Sequence, residues 1–139
     1  MGYSSLACKF IPADSSNYTP NRSAWGYDRI TEICIHYMAG NASIEQCGGY
    51  WQNPDRNGSS TYGIGSDGRI ACYVDENDIA WCNSNWESNC RSASIETANL
   101  YPDSKVLVIL PKDFTPIKRQ ETLAKTRGYE QTFIFIRKR

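Results

Sequence analysis

The chain has 139 residues, enough for one domain that buries somewhat under roughly 70% of the surface its unfolded form exposes, so no second domain is required. Fifteen Lys and Arg balance fifteen Asp and Glu, and with no net field the composition excludes a protein recruited electrostatically to nucleic acid or to an anionic membrane. The balance is uneven along the chain, since residues 1–100 carry six basic and eleven acidic groups and residues 101–139 carry nine and four.

The first residues, Met1-Gly2-Tyr3-Ser4-Ser5-Leu6-Ala7-Cys8-Lys9, lack the charged start and long apolar core of a secretion signal, and Leu6 spoils a myristoylation match. No stretch reaches the length of a membrane helix. These features read as a protein that is cytoplasmic at synthesis. Cys8, Cys34, Cys47, Cys72, Cys82 and Cys90 form no Cys-x-x-Cys pair, and they read as mostly reduced thiols, with a Cys82–Cys90 disulfide left open for an oxidising space.

In chain order, the Pro-, Ser- and Asn-rich residues 10–27 predict an extended arm over the surface, pinned by its tyrosines and Trp25. Ile30, Thr31, Ile33 and Ile35 predict a buried strand that ends at His36, the only histidine of the chain, with Gly40-Asn41 as the turn behind it. Asn41 or Ser43 then caps a short helix to about Gln52, with Ile44, Cys47 and Trp51 on its core face and Gly48-Gly49 for close packing. Residues 53–59 form a loop. Tyr62–Gly65 and Arg69–Tyr73 flank Ser66-Asp67-Gly68 as a hairpin. Asp75–Asp78 is an acidic loop, Trp81–Arg91 a polar, Asn-rich stretch, and Ser92–Ala98 a strand of the same sheet. Farther on, Val106–Leu110 reads as a buried strand, Thr115–Thr126 as a helix capped by Thr115 with Pro116 in its first turn, and Thr132–Ile136 as a last strand.

Four stretches carry a resemblance. Ile33-Cys34-Ile35-His36-Tyr37-Met38-Ala39-Gly40, then Ser60 to Ile70, Val74 to Trp81, and Ser94-Ile95-Glu96 resemble, in order, the zinc-dependent N-acetylmuramoyl-L-alanine amidases of the phage endolysin and peptidoglycan-recognition type. The likeness spans residues 28–99 and then stops. It implies an α/β fold, a mixed central β-sheet flanked by helices in the amidase-like arrangement, truncated or altered at the C-terminus. Residues 1–100 would be the N-terminal part of that domain, and residues 101–139 a divergent basic strand-helix-strand tail.

The resemblance implies zinc as cofactor, with His36 as its first ligand and Tyr37 where many members have a second histidine. The family's other two ligands, a His and a Cys or Asp far downstream, have no counterpart, because the chain has no second histidine and no cysteine after Cys90. Glu96 would be the general base for the attacking water. Tyr62 matches a tyrosine that steadies the tetrahedral intermediate. Trp81, Asn85, Trp86 and Asn99 would line a groove for a glycopeptide.

The implied activity is hydrolysis of the amide between N-acetylmuramic acid and L-alanine in bacterial peptidoglycan, by a prophage-derived endolysin acting on the cell wall. Peptidoglycan is the partner, with neither nucleic acid nor membrane. A non-catalytic peptidoglycan-binding module and a truncated remnant stand beside that reading, because two zinc ligands are missing. A metal site that joins His36 to Cys82 or Cys34, or one completed by Asp78, also stays open.

Overall fold

The computed structural model describes residues 2–98 and 134–137. Strand β3 (Glu32–Tyr37) lies between β7 (Ser92–Thr97) and β8 (Ile134–Arg137) in a six-stranded sheet. The sheet also holds β4 (Tyr62–Ile64), β5 (Ile70–Cys72) and β1 (Lys9–Phe10), in the order β1-β5-β4-β7-β3-β8. It is mixed. β3 runs parallel to β7, β7 parallel to β4 and β1 parallel to β5, while the β4–β5 and β3–β8 pairs are antiparallel. Two short strands, β2 (Tyr18–Thr19) and β6 (Ile79–Ala80), form a separate antiparallel ribbon.

The expected elements form for identifiable reasons. Helix α1 (Ile44–Trp51) starts at Ser43, whose hydroxyl accepts from the Gln46 amide while the Gln46 side chain accepts from Ser43 N, a reciprocal capping box. Ile44, Cys47, Gly48 and Trp51 face inward. The β4–β5 hairpin closes where Gly65 N donates to Arg69 O, and Gly68 takes φ +79°, a conformation that suits glycine.

Two expectations change. The arm of residues 10–27 does more than lie on the surface, since β1 and β2 add edge strands to the two sheets. Residues 81–91 end in a helix, α2 (Trp86–Arg91), whose first turn is held by Asn85 accepting from Ser88 N. The pattern Asn85-x-x-Ser88 was the local signal for it, and six residues are too few for hydrophobic periodicity to reveal. The strand expected at 132–136 forms as β8, shifted by one to two residues. The strand and helix expected at 106–110 and 115–126 lie outside the described residues.

Side chains of directly paired residues share a face of the sheet. His36, Glu96, Gly63 and Ala71 stand in one such row, and Ile35, Ile95, Tyr62 and Cys72 in the row beside it, on the opposite face. The front face is covered by α1, with Ile44, Cys47, Trp51, Ala71, Tyr73 and Val74 in one cluster. Tyr62, Cys72 and Ala93 form a second cluster behind, with Tyr3, Ile30, Ile70 and Ile95 packed on it. The loops are tied down by Arg22, a cation only 3% exposed. Its guanidinium donates to the carbonyls of Glu76 (3.0 Å), Asp78 (2.7 Å), Asn89, Cys90 and Ser92. Among the described residues no helix is long and apolar enough to cross a membrane.

Gly63 is where α1 meets the sheet. The Tyr73 ring lies against it, and the Tyr73 hydroxyl donates to Ile44 O at 2.9 Å. A methyl group at Gly63 would occupy the space of that buried ring. We therefore expect Gly63→Ala to lower stability by about 1–3 kcal/mol in chemical denaturation, the usual cost of overpacking.

Candidate metal centre

His36 sits one residue from the C-terminal end of β3, directly opposite Glu96 of β7. The loop after β6 closes over this pair. That loop is held at two points: Ser59 and Trp81 exchange hydrogen bonds (Ser59 N to Trp81 O and Trp81 N to Ser59 Oγ, both 3.1 Å), and Asn89 Oδ1 accepts from the amides of Cys82 and Asn83. Cys82 and Asn83 are thereby set over the front face. The Nδ1 or Nε2 atom of His36, the Cys82 thiol and a Glu96 carboxylate oxygen all lie within 4.8 Å of one another, and each of the three residues is half-buried.

Asn83 orients the imidazole. Its amide nitrogen donates to Ser88 Oγ at 3.1 Å and Ser92 Oγ at 2.9 Å, which turns Oδ1 to His36 Nε2 at 3.0 Å. An acceptor at that distance matches a proton on Nε2, and in a neutral imidazole this makes Nδ1 the lone-pair nitrogen. A second residue aiming the ring through its other nitrogen is the usual arrangement around a metal-binding histidine.

Burial disfavours charge on all three groups. It lowers the pKa of His36 against the opposing Asn83 hydrogen bond. It raises that of Cys82 well above the ordinary thiol value, with the Glu96 charge adding to the effect. It pushes the Glu96 carboxyl up to about 7, with Arg56 pulling the other way. Oε2 of Glu96 is buried without a hydrogen-bond partner. A carboxylate and a thiol held this close in a dry place are poorly served by protein alone. An imidazole nitrogen, a thiol sulfur and a carboxylate oxygen are the donors that zinc takes, and three of them are the number found in catalytic zinc sites. The residues present therefore fit such an ion, although the set differs from the family's two histidines with a Cys or Asp.

The structure brings together only some of the residues singled out from the sequence. His36 and Glu96 are paired. Tyr62 lies on the opposite face, 7% exposed, where its hydroxyl donates to Glu76 Oε1 at 2.5 Å and accepts from Ser4 N at 2.7 Å. Its phenol pKa is raised by burial and by that carboxylate. The reason is parity: Tyr62 pairs with Ile95, the residue before Glu96. Trp81 is committed to the arm, donating from Nε1 to Thr19 Oγ1 at 2.8 Å. Asn85 caps α2. Trp86, 44% exposed, packs edge-on against Trp25 with ring centroids 5.0 Å apart. Asn99 lies outside the described residues. All six cysteines are free thiols.

A cavity of about 390 Å³ opens beside Glu96, between the turn after β3 and α1. Its walls include Met38, Ala39, Cys47, Trp51 and Arg56. Ala39 stands in the left-handed region at φ +51°, an uncommon conformation for a residue with a side chain, in the turn directly behind His36. Neither Arg56 nor Trp51 carries a sequence signal for a site. Both reach the cavity only because α1 and the following turn fold over the ends of β3 and β7.

The sequence profile of a family described as N-acetylmuramoyl-L-alanine amidase matches residues 26–127, most of the chain and all of the elements that build this centre. The chain belongs to that amidase family. No curated protein matches it. Among solved structures it is similar in fold to a selenomethionine derivative of AmpD, with TM-score 0.55 and 16% identity over 92% of this chain and 78% of that one. A mutant endolysin from Bacillus subtilis aligns at 22% identity with TM-score 0.49, over 72% of this chain and 63% of that one, and the catalytic domain of XlyA at 24% identity with TM-score 0.46, over 66% and 61%. The amidase-family chain thus spans less than two thirds of the length of either of these last two structures.

In this family member the Tyr62 hydroxyl bridges Glu76 and the N-terminal segment on the back of the sheet. Tyr62→Phe is expected to cost about 1–3 kcal/mol, the range for stranding a buried partner of a charged group. In differential scanning calorimetry the variant should melt earlier than wild type.

Proposed function

We propose that this protein hydrolyses the amide between N-acetylmuramic acid and L-alanine in peptidoglycan. The observation that carries the reading is the pairing of His36 with Glu96 beside an open cavity, in a chain of the amidase family. His36, Cys82 and Glu96 would hold the zinc that the family implies. Bound there, the ion would polarise the scissile carbonyl and lower the pKa of water.

The chain's own residues supply the rest. Asn83 holds the His36 ring in one orientation. Glu96 is the proton acceptor: standing directly beside His36, it can take a proton from water and return it to the leaving nitrogen. A carboxylate has two oxygens, and the one not spent on the ion serves this purpose. The cavity between α1 and the turn after β3 receives the peptide side of the substrate. Tyr62, turned to the back of the sheet, takes no part. A prophage endolysin released onto the cell wall is the setting that fits this chemistry.

Purified, dialysed protein is expected to contain one zinc per chain by elemental analysis, with His36→Ala empty and Cys82→Ser holding zinc at least about tenfold more weakly. On isolated cell walls, Glu96→Gln should lower the rate of release of muramyl-linked peptides by about 10²–10⁴-fold, the usual contribution of a positioned acid-base group. Zinc-free wild-type protein that still binds cell walls would instead favour a non-catalytic peptidoglycan-binding module.

A further inference from the structure

Cys82 and His36 stand in an arrangement that has a chemistry of its own without an ion. The Cys82 sulfur lies within 4.8 Å of a His36 ring nitrogen, and neither residue is closed off from solvent. Asn83, the next residue, presents Oδ1 to His36 Nε2 at 3.0 Å. Its amide nitrogen is spent on Ser88 Oγ and Ser92 Oγ, so the acceptor end cannot turn away without breaking two further hydrogen bonds. The backbone of both loop residues is fixed as well, since Asn89 Oδ1 accepts from the amides of Cys82 and Asn83. A thiol, an imidazole and an amide acceptor are thus held together by the loop before α2 and the end of β3.

A nucleophile beside a base, with a third group orienting the base, is the geometric signature of covalent acyl transfer. Thiol, imidazole and side-chain amide are one of the sets in which that signature recurs on unrelated folds. The roles follow from counting protons. With Nε2 donating to Asn83, Nδ1 is the acceptor nitrogen of the ring, and the thiol has one proton to give. Burial keeps both groups in their neutral forms, so the thiol is a weak nucleophile until the imidazole takes its proton during attack.

We propose that in the ion-free protein Cys82 is a nucleophile toward esters and thioesters, with His36 as its general base and Asn83 as the residue that positions the base. The sulfur attacks the acyl carbon while its proton passes to His36 Nδ1. The bond from that carbon to the leaving oxygen or sulfur breaks, and His36 returns the proton to the leaving group. Water then attacks the acyl-enzyme carbon, its proton passing through His36 to the departing Cys82 sulfur, and the acid is released. Esters and thioesters are the substrate class because their leaving groups depart more readily than an amide nitrogen. Zinc would take up the same sulfur and ring, so this activity and the metal-assisted one are alternative states of one centre.

The test is an acid-quenched reaction of the full chain with p-nitrophenyl acetate in the presence of a chelator. A burst of about one equivalent of nitrophenol per chain is expected, and peptide mass mapping should place a single acetyl group on Cys82. Cys82→Ala should remove the burst, and His36→Ala should slow it by about 10²-fold or more. Cys8→Ser, which alters an exposed thiol outside the centre, should leave it unchanged. Asn83→Ala should slow the burst by about tenfold or more, and Asn83→Asp, which keeps an acceptor for Nε2, should restore most of the rate, a rescue that a merely structural role would not produce. No burst, an acetyl group on another residue, or a burst that survives Cys82→Ala would each overturn the proposal. Saturating zinc separates it from the hydrolase reading: suppression of the burst supports both, and a burst that persists supports the nucleophile while overturning Cys82 as a zinc ligand.

Discussion

The parallel pairing of β3 with β7 is the constraint on which the rest of the molecule depends. Its register sets Glu32 against Ser92 and His36 against Glu96, and because side chains alternate along a strand, a slip of one residue would send one of the pair to the far face. Parallel neighbours cannot be joined by a tight turn, so the chain must travel from one end of the sheet to the other between them. Residues 38–91 make that journey. On the way they deposit α1 on the front face, the β4–β5 hairpin beside β7, and the Cys82-Asn83 turn over the histidine. The centre is thus a product of the crossover as much as of the two strands.

Burial then decides the chemistry of what is brought together. His36, Cys82 and Glu96 are each pushed towards their neutral forms by the same loss of water, and their near approach leaves donor atoms that a cation would satisfy better than more protein. The surface ion pairs, Glu45 with Lys9 and Arg69, are exposed and add little by comparison. Arg22 is a different matter. A buried cation surrounded by five carbonyl groups ties the loop before β6 to the end of α2 and the start of β7, and so brackets the turn that carries Cys82.

Two tyrosines show how a single step along a strand separates roles. Tyr73 packs on the front face and anchors α1 through Ile44 O. Tyr62, on β4, faces the rear and holds the N-terminal segment through Ser4 and Glu76. Both phenols are spent on structure. Trp51, Arg56 and Glu96 line one cavity, and the donor cluster adjoins it at Glu96.

The local pattern of residues determined a good deal. The β-branched run before His36, the Ser43 cap with inward Ile44, Cys47 and Trp51, the Ser66-Asp67-Gly68 hairpin and the strand around Glu96 are short-range signals, and each formed where expected. The likeness around His36 and Glu96 also pointed to the amidase family, which the profile match over residues 26–127 bears out. Other features depend on partners far away in the chain. That Cys82 and Asn83 approach His36 across 46 and 47 positions, that Tyr62 turns its hydroxyl away, and that β1 and β2 find edges to pair with are matters of parity and crossover path. No local propensity encodes them, because strand pairing selects the face only after the sheet has assembled. The sequence by itself therefore determined which chemical groups the protein owns and which stretches carry them, and tertiary structure alone decided which of those groups meet.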